Sequence, residues 1–591
     1  MIRIPLRPLA RILPARDRGQ DTTAIEREHL ALRHQQVQDR ARRRGERRLL
    51  FMATLFFAGF ALIGVRMAVM AASPPPEVTP WQGEQIDAFR ADITDRAGRI
   101  LATNLRTNAL YAELRHMVDG ERAAHELARI FPDLDADGLA RRLTDPSTRF
   151  LWIRPRLSPE QVQAVHDIGE PGLLFGPRAM RLYPNGRLAA HILGGAGFGT
   201  QGVSAAEIVG TAGIEHRLNA ELRDPAREGR PLALSLDLSV QAVVEEVLSG
   251  GMTLLNARAA AAVVMDAHSG EIVAMASMPD FDPNSRPALP AGTDPTYSPL
   301  FNHAVQGSYE LGSVMKAFTV AQALERGLVG PQTMIDTRGP LRVSRFSITD
   351  YRSRGPRQSV ADVFIYSSNI GTARLAQMIG AEEQRAFLQS FGLLEPSPVE
   401  LAEARRVRPQ FSERWTELSA MTISYGHGLT TSPVMLASAY AALVNGGTRV
   451  EPTLLRRPDP VPGERLISEQ TSATMRALMR AVVAGGTASL AEVPGVLPGG
   501  KTGTADKPNP AGGYYSGRVI ATFAGAFPMN DPRYVIVVML DEPEDTTGPE
   551  PRRTAGWTAA PVTGEIVRRI APLLGVRPQD GLDIEAALLT R

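Results

Sequence analysis

Residues 49–65 of this 591-residue chain carry no charge, and with Met67 to Ala72 the apolar stretch reaches roughly 23 residues. As a helix that is enough to span a hydrocarbon layer of about 30 Å. Arg66 interrupts it near one end, where a guanidinium can snorkel to the interface. Arg40, Arg42, Arg43, Arg44, Arg47 and Arg48 precede the stretch; Ser73-Pro74-Pro75-Pro76 and the acidic Glu77, Glu84 and Asp87 follow it. This asymmetry predicts a cytoplasmic N-terminus, with everything beyond residue 73 on the outer side. A cleaved signal peptide is the rival reading, given the small Ala71 and Ala72. Its leading region would be far too long and its apolar stretch exceeds the usual one, so an uncleaved anchor is expected. Residues 1–48 lack a core pattern and are expected to form a mobile or partly helical tail.

The length leaves room for two or three domains, each with its own core. A formal net charge of +2 gives no reason to expect a nucleic-acid partner. The chain has no cysteine, which excludes disulfides, thiolate metal sites and a cysteine nucleophile. Its basic residues are almost all arginine; the only lysines are Lys316, Lys501 and Lys507. Arginine stays protonated, whereas a buried lysine can lose its proton and serve as a base.

From about Trp81 to Arg230 the pattern is mixed α/β, with a hairpin expected around Asp95-Arg96-Ala97-Gly98-Arg99 and a long helical stretch near residues 119–145. No convergent catalytic group stands out there. From Leu232 onward the pattern is that of a larger α/β domain. Ala261 to Met265 and Ile272 to Met275 flank His268-Ser269-Gly270, which reads as two antiparallel strands. Ile520 to Phe527 and Tyr534 to Leu540 form a second pair, with mostly helix between the two pairs. One sheet assembled from both ends of the domain is expected, with a closing helix over Pro561 to Leu574 packed on it.

Three short motifs fall in this domain: Ser313-Val314-Met315-Lys316, Ser367-Ser368-Asn369 and Lys501-Thr502-Gly503. Each is weak alone; together, in this order and holding two of three lysines, they form the S-x-x-K, S-x-N and K-T-G set of penicillin-recognising serine enzymes. Val314, Phe318, Ala321 and Leu324 recur at helical spacing, so Ser313 is expected at or just before a helix N-terminus. There unpaired backbone N–H groups favour negative charge. Lys316 lies three residues on, within expected reach of the Ser313 hydroxyl. Lowering a lysine pKa from about 10.4 to about 7–8 corresponds to roughly 3–5 kcal/mol, supplied by burial and a second cation, for which Lys501 is the candidate. Ser367 can pass a proton between the lysines and a leaving amine, and Asn369 can hold a substrate amide. Gly499-Gly500-Lys501-Thr502-Gly503-Thr504 suits a strand that a ligand approaches closely, with Lys501 and Thr502 on a substrate carboxylate and Gly503 and Thr504 along its backbone. The N–H groups of Ser313 and Thr504 would form an oxyanion hole. The bland alternatives are a serine N-cap at Ser313 and an ordinary polar turn at residues 367–369. A phosphate loop is a further alternative, because Gly495 to Thr502 matches G-x-x-x-x-G-K-T. Pro498, Pro508 and Pro510 spoil the strand–loop–helix context it requires.

With these motifs the chain resembles the class B penicillin-binding proteins over residues 49–577. Asp95 to Arg99, Tyr183-Pro184 with His191 to Gly194, and Gly213-Ile214-Glu215 look like motifs of that family's pedestal. Pro279 to Asn284 and Ser424 to Gly428 resemble landmarks of its transpeptidase domain. Asn369, and Leu429 to Pro433, are most similar to the division-specific branch; Glu310-Leu311-Gly312 departs from the usual Pro-Gly and puts the local turn in doubt. The resemblance implies an α/β (α+β) protein: a cytoplasmic tail (1–48), a transmembrane anchor (49–72), a mixed α/β pedestal (80–229), a transpeptidase domain with an antiparallel sheet flanked by helices like a serine β-lactamase (230–577), and a C-terminal tail (578–591). It implies a peptidoglycan D,D-transpeptidase of the bacterial inner membrane, catalytic part periplasmic, working at the division septum through a Ser313 acyl-enzyme. Its ligands would be D-Ala-D-Ala stem peptides and β-lactams, its partners divisome proteins including a membrane glycosyltransferase, and it would need no metal or other cofactor. An elongation-type enzyme, a carboxypeptidase or β-lactamase, and a non-catalytic receptor for β-lactam or peptidoglycan are the rivals. If Lys316 is the base, Lys316→Arg keeps the charge yet abolishes penicillin acylation; near-normal labelling of that variant would remove Lys316 from this role.

Overall fold

The chain divides into two compact units, residues 1–86 and 87–591. The structure, a computed structural model, describes residues 9–72, 90–198, 208–288, 292, 294–343, 346–459 and 463–579. The Ser73–Pro76 junction, Glu77, Glu84 and Asp87, the first eight residues and the tail beyond 579 lie outside the described residues.

The first unit holds α1 (Leu9–Asp17) and α2 (Thr23–Ala72). Of the mobile or partly helical tail expected, the helical alternative is found and extends further than expected: from Thr23 the helix runs unbroken into the apolar stretch, 50 residues or about 75 Å. Residues 23–48 are rich in Arg, Glu, Gln, Ala and Leu and contain no proline, which favours helix throughout. Glu46–Val69 is long and apolar enough to cross a membrane, and Leu55, Phe56, Phe57 and Phe60 in it are exposed.

The second unit begins with a twisted sheet. Asp95 builds the expected hairpin between β1 (Ile93–Thr94) and β2 (Ile100–Glu113). Its Oδ1 accepts from Ala97 N (2.9 Å) and Arg99 N (2.8 Å), and Gly98 takes the left-handed turn position at φ 83°. The stretch expected as one long helix is two, α3 (Gly120–Ile130) and α4 (Ala136–Leu143). Pro132 forces Phe131 out of helical geometry (φ −126°, ψ 87°) and ends α3 there. Then come β3 (Phe150–Leu157), α5 (Pro159–Asp167) and β4 (Leu173–Leu182), with β3 and β4 both paired to β2. A small separate core, including Leu110, Leu127, Leu143 and Leu173, lies among these elements.

After β5 (Leu232–Ala233), which joins β1 in parallel, comes α6 (Leu238–Leu254). Asp95 also accepts from Leu238 N (3.1 Å), so the hairpin carboxylate caps this helix. The strands β6 (Ala259–Asp266) and β7 (Ile272–Met278) are the expected first pair. The helices α7 (Lys316–Glu325), α8 (Asn369–Ile379) and α9 (Pro433–Val444) follow, and then β8 (Gly499–Pro508), β9 (Tyr514–Phe527), β10 (Tyr534–Asp541) and α10 (Ala559–Leu573). The five strands form one antiparallel sheet in the order β8-β9-β10-β6-β7, joined across the chain's ends where Val263 pairs with Val537. Helices cover it: α10 packs on β9, β10 and α6, while α9 packs on β6 and β10 with all twelve of its residues buried. Every residue of β6 except its last, and every residue of β7 and β10, is buried. Strands of this kind read as continuous apolar runs rather than alternating ones.

The main core does not stop near residue 230. Ile93, Leu101, Ile192, Ile214 and Leu222 belong to the same buried cluster as Val240, Val264 and Ile536. Beside it, Glu215 sits fully buried between two guanidiniums: Arg90 Nε (2.6 Å) and Arg181 Nε (2.6 Å) donate to it, and Tyr183 Oη lies at 3.3 Å. Removing one member of a buried ion cluster leaves uncompensated charge. Glu215→Gln is therefore expected to cost about 3–5 kcal/mol in urea denaturation, whereas Arg156→Gln on the exposed surface costs about zero. Equal midpoints for the two variants would contradict the cluster.

Candidate active site

The turn carrying Ser313 is a single 3-10 turn, Gly312–Met315, running straight into α7. Leu311, at φ −95° and ψ 4°, makes the approach without the usual proline, and Gly312 takes a left-handed φ of 64°. Ser313 is half-buried, while Val314, Phe318 and Ala321 are buried as the helical spacing predicts. From α9, Tyr440 Oη donates to Val314 O (2.7 Å) and pins the turn from behind. In front lies β8, an edge strand of the sheet. A Cβ on Gly503 would collide with the Leu311 carbonyl oxygen, and one on Gly312 would stand 2.7 Å from the Thr504 carbonyl oxygen. This corrects one expectation. Glycine at 500 makes room for Phe523 and the backbone of β9, and glycine at 503 for the Leu311 carbonyl, so the bulk these positions avoid is the protein's own and Gly503 brings β8 against the Ser313 turn.

The second motif meets both lysines. Ser368 caps α8 by accepting from Gly371 N (3.0 Å). Ser367 is held at φ 65°, a left-handed value that costs a non-glycine residue strain and clusters at functional sites. Lys316 Nζ donates to Ser367 O (2.6 Å), Ser367 Oγ (3.0 Å) and Asn369 Oδ1 (2.7 Å). Lys501 Nζ donates to the same Ser367 Oγ (3.0 Å) and to Thr502 O (3.0 Å). Lys316, expected within reach of the Ser313 hydroxyl, makes no hydrogen bond to it here; its amine turns instead to three acceptors on residues 367 and 369. Thr502 Oγ1 lies 2.8 Å from Thr487 Oγ1, and Thr504 Oγ1 accepts from Ala555 N (3.0 Å).

Asp350 went unseen in the sequence. It accepts from Ser368 Oγ (2.7 Å), Asn369 N (2.6 Å) and Ile370 N (3.0 Å), while Thr349 O accepts from Asn369 Nδ2 (3.0 Å). The carboxylate thus sits at the N-terminus of α8 and fixes the amide that faces Lys316. It belongs to no motif; its separation of 17 residues from Ser367 gives no helical or strand signal.

Both motif lysines are fully buried. Burial first, and then the charge of Lys501, pushes the Lys316 amine well below the usual lysine range; Asp350 opposes this. Burial pushes Lys501 down to about 7. Lys507 is different. Burial disfavours its charge, but Asp541 (2.7 Å), Tyr297 (2.8 Å) and Glu542 (3.1 Å) outweigh that and raise its pKa, so it serves as a structural cation. Among the described residues no cluster of His, Asp or Glu could hold a metal ion.

This site lies in the part of the chain matched by the family model for the penicillin binding protein transpeptidase domain, residues 260–568. The model for the penicillin-binding protein dimerisation domain matches residues 85–227. A probable peptidoglycan D,D-transpeptidase FtsI of Caulobacter vibrioides is 35% identical over 91% of this chain and 90% of its own length. FtsI of Escherichia coli is 28% identical over 84% of this chain and 85% of its own. The crystal structure of penicillin binding protein 3 from Mycobacterium tuberculosis, complexed with aztreonam, superposes with a TM-score of 0.62 at 27% identity, covering 84% of this chain and 98% of that one.

A base drawn from this lysine pair must be neutral to act. Because the Lys316 amine lies well below the usual lysine range, penicillin acylation is expected to persist at pH values far below 10 and to fall only where that amine gains its proton. Stopped-flow acylation between pH 5 and 10 checks this; a limb near pH 10, where an unburied lysine titrates, would show the pair to be charged at neutrality.

Proposed function

Because the chain belongs to the penicillin-binding protein transpeptidases, we propose that Ser313 is the nucleophile by which it acts as a peptidoglycan D,D-transpeptidase. The observation that carries this is the pair of fully buried lysines converging on one serine hydroxyl, Ser367 Oγ, at 3.0 Å each. Desolvation and mutual repulsion favour a neutral amine at Lys316, and a neutral amine can take a proton.

In the first half-reaction Lys316 lets go of one acceptor and turns to Ser313, taking the hydroxyl proton as Ser313 Oγ bonds to the penultimate D-Ala carbonyl carbon. The carbonyl becomes an oxyanion, held by the N–H groups of Ser313 and Thr504. Each such donor is worth roughly 3–4 kcal/mol in acyl transfer. The close approach of Gly312 to Thr504 supports this pairing of donors. The C–N bond then breaks, and the proton passes by way of Ser367 to the leaving D-Ala amine. Lys501 and Thr502 bind the terminal carboxylate, and the substrate backbone lies along Gly503 and Thr504 at the edge of β8. In the second half-reaction a side-chain amine of a neighbouring stem peptide attacks the acyl-enzyme, gives up its proton through the same lysine–serine relay, and frees Ser313. A β-lactam enters as a mimic of the dipeptide and leaves a slowly hydrolysed acyl group on Ser313.

The apolar part of α2 supports a membrane anchor, and the arginines before it support a cytoplasmic N-terminus with the catalytic region in the periplasm. Likeness to the FtsI enzymes supports work at the division septum beside divisome proteins, a membrane glycosyltransferase among them.

Fluorescent-penicillin labelling of the full-length protein in detergent, with peptide mapping of the adduct, tests the assignment. The adduct is expected on Ser313 and is lost in Ser313→Ala with the thermal unfolding profile unchanged. An adduct on another residue, or none on a folded protein, would refute it.

A further inference from the structure

Glu310 is a buried carboxylate three residues before Ser313, 8% exposed, and the acylation chemistry does not use it. Its Oε1 accepts from Gly428 N (2.9 Å), and Tyr514 Oη donates to the carboxylate at 3.0 Å from Oε2 and 3.2 Å from Oε1. Three separate segments meet there. The first is the Ser313 turn itself. The second is the loop 426–428, which runs beside it: Tyr309 and Thr431 exchange both backbone bonds at 3.0 Å, and Gly426 lies so close to the Gly312 carbonyl that a Cβ would collide with it. The third is the far end of the β8–β9 hairpin, where Tyr514 pairs with Pro508. Tyr514 is 46% exposed and continues a rank of rings, with His427 at 5.6 Å and Tyr425 at 5.5 Å beyond it.

The hairpin needs such a tether. Its base is fixed by the close packing of Gly503 on the nucleophile turn, but beyond Ala505 the edge strand leaves the core, and Asp506, Pro508 and Tyr514 are exposed. A hydrogen bond from a phenol to a buried carboxylate is charge-assisted and directional, stronger than a neutral pair. We propose that Glu310 is a positioning residue for acyl-donor binding: it latches the hairpin end, through Tyr514, and the 426–428 loop, through Gly428, to the turn that carries Ser313. The wall made by Tyr425, His427 and Tyr514 is thereby held at a set distance from the nucleophile and receives the side chain of the acyl donor. The latch acts on the width of the cleft and leaves the proton relay alone, so its loss weakens binding of donors that carry a bulky side chain.

The inference rests on acylation at Ser313, and wild-type acylation itself reports on that reading independently. The full-length protein in detergent is acylated with benzylpenicillin and with 6-aminopenicillanic acid, which has the same fused rings and carboxylate but a bare amine in place of the aryl side chain. Apparent binding constant and limiting acylation rate are separated for wild type, Glu310→Ala, Glu310→Gln and Tyr514→Phe. For benzylpenicillin, Glu310→Ala and Tyr514→Phe are expected to weaken binding roughly tenfold, the worth of one hydrogen bond to a charged group, with the limiting rate within about twofold. For 6-aminopenicillanic acid both constants stay within about twofold of wild type in each variant. Glu310→Gln, whose amide oxygen still accepts from Gly428 and Tyr514, recovers most of the benzylpenicillin affinity. Equal losses for the two compounds, or a loss confined to the limiting rate, would overturn the latch, as would wild-type constants in Tyr514→Phe. Should Glu310→Ala fail to fold, Tyr514→Phe decides, since it removes one surface hydroxyl and keeps the ring.

Discussion

Two fully buried lysine amines share one serine hydroxyl, and much of the C-terminal half of the molecule is arranged to make that tolerable. Burying an unpaired lysine disfavours its charged form by several kcal/mol, and two together repel. The protein answers with acceptors rather than counter-ions. Ser367 O, Ser367 Oγ, Asn369 Oδ1 and Thr502 O accept from the amines, and the carboxylate whose charge opposes the shift at Lys316, Asp350, is hydrogen-bonded to the end of α8. The result is an environment poised between protonation states, which neither a solvated lysine nor a salt-bridged one could provide. Lys507 shows the contrast within the same chain: two carboxylates and a phenol favour its charged form.

That environment is assembled from distant segments, so the sheet has to fix their register. The strand bearing Lys501 is held by pairing to Ala524, and its neighbours tie the end of the chain to strands laid down some 270 residues earlier in the sequence, as in the pairing of Val263 with Val537. Contact at the site is then made backbone to backbone, through Gly312, Gly426 and Gly503, because any side chain at these positions would hold the turn, the loop and the strand apart. The N-terminal half is not an appendage of this assembly. Its hairpin carboxylate, Asp95, caps the first helix of the C-terminal half, and its apolar residues share the main core.

Much of this could be read from the sequence. Motif order and the scarcity of lysine pointed to the residues that meet, and the apolar runs at both ends of the domain pointed to one sheet. What could not be read was contact across sequence distance. Asp350 sits in a stretch with no period and no motif, and Glu310, although it stands just before the Ser313 motif, gives no sign of its partner; only the folded chain brings them to Asn369 and Tyr514. The long helix expected near residues 119–145 was a different kind of miss. Pro132 was visible in the sequence and forbids it, and the stretch divides there into two helices. The glycines of β8 were read as space for a ligand, when the bulk they avoid is the protein's own; sequence shows that a residue is small without showing what presses on it.

The near-absence of lysine has one more consequence, for what an acyl group can meet. Two of the three amino side chains are sealed inside the active site and the third is clasped by carboxylates, while at every other Lys/Arg position stands an arginine, whose guanidinium stays protonated. An enzyme that holds an activated ester and waits for an amine therefore offers no free lysine of its own as a competing acceptor. Self-modification is suppressed by composition, and the incoming stem peptide brings the amine that the surface lacks.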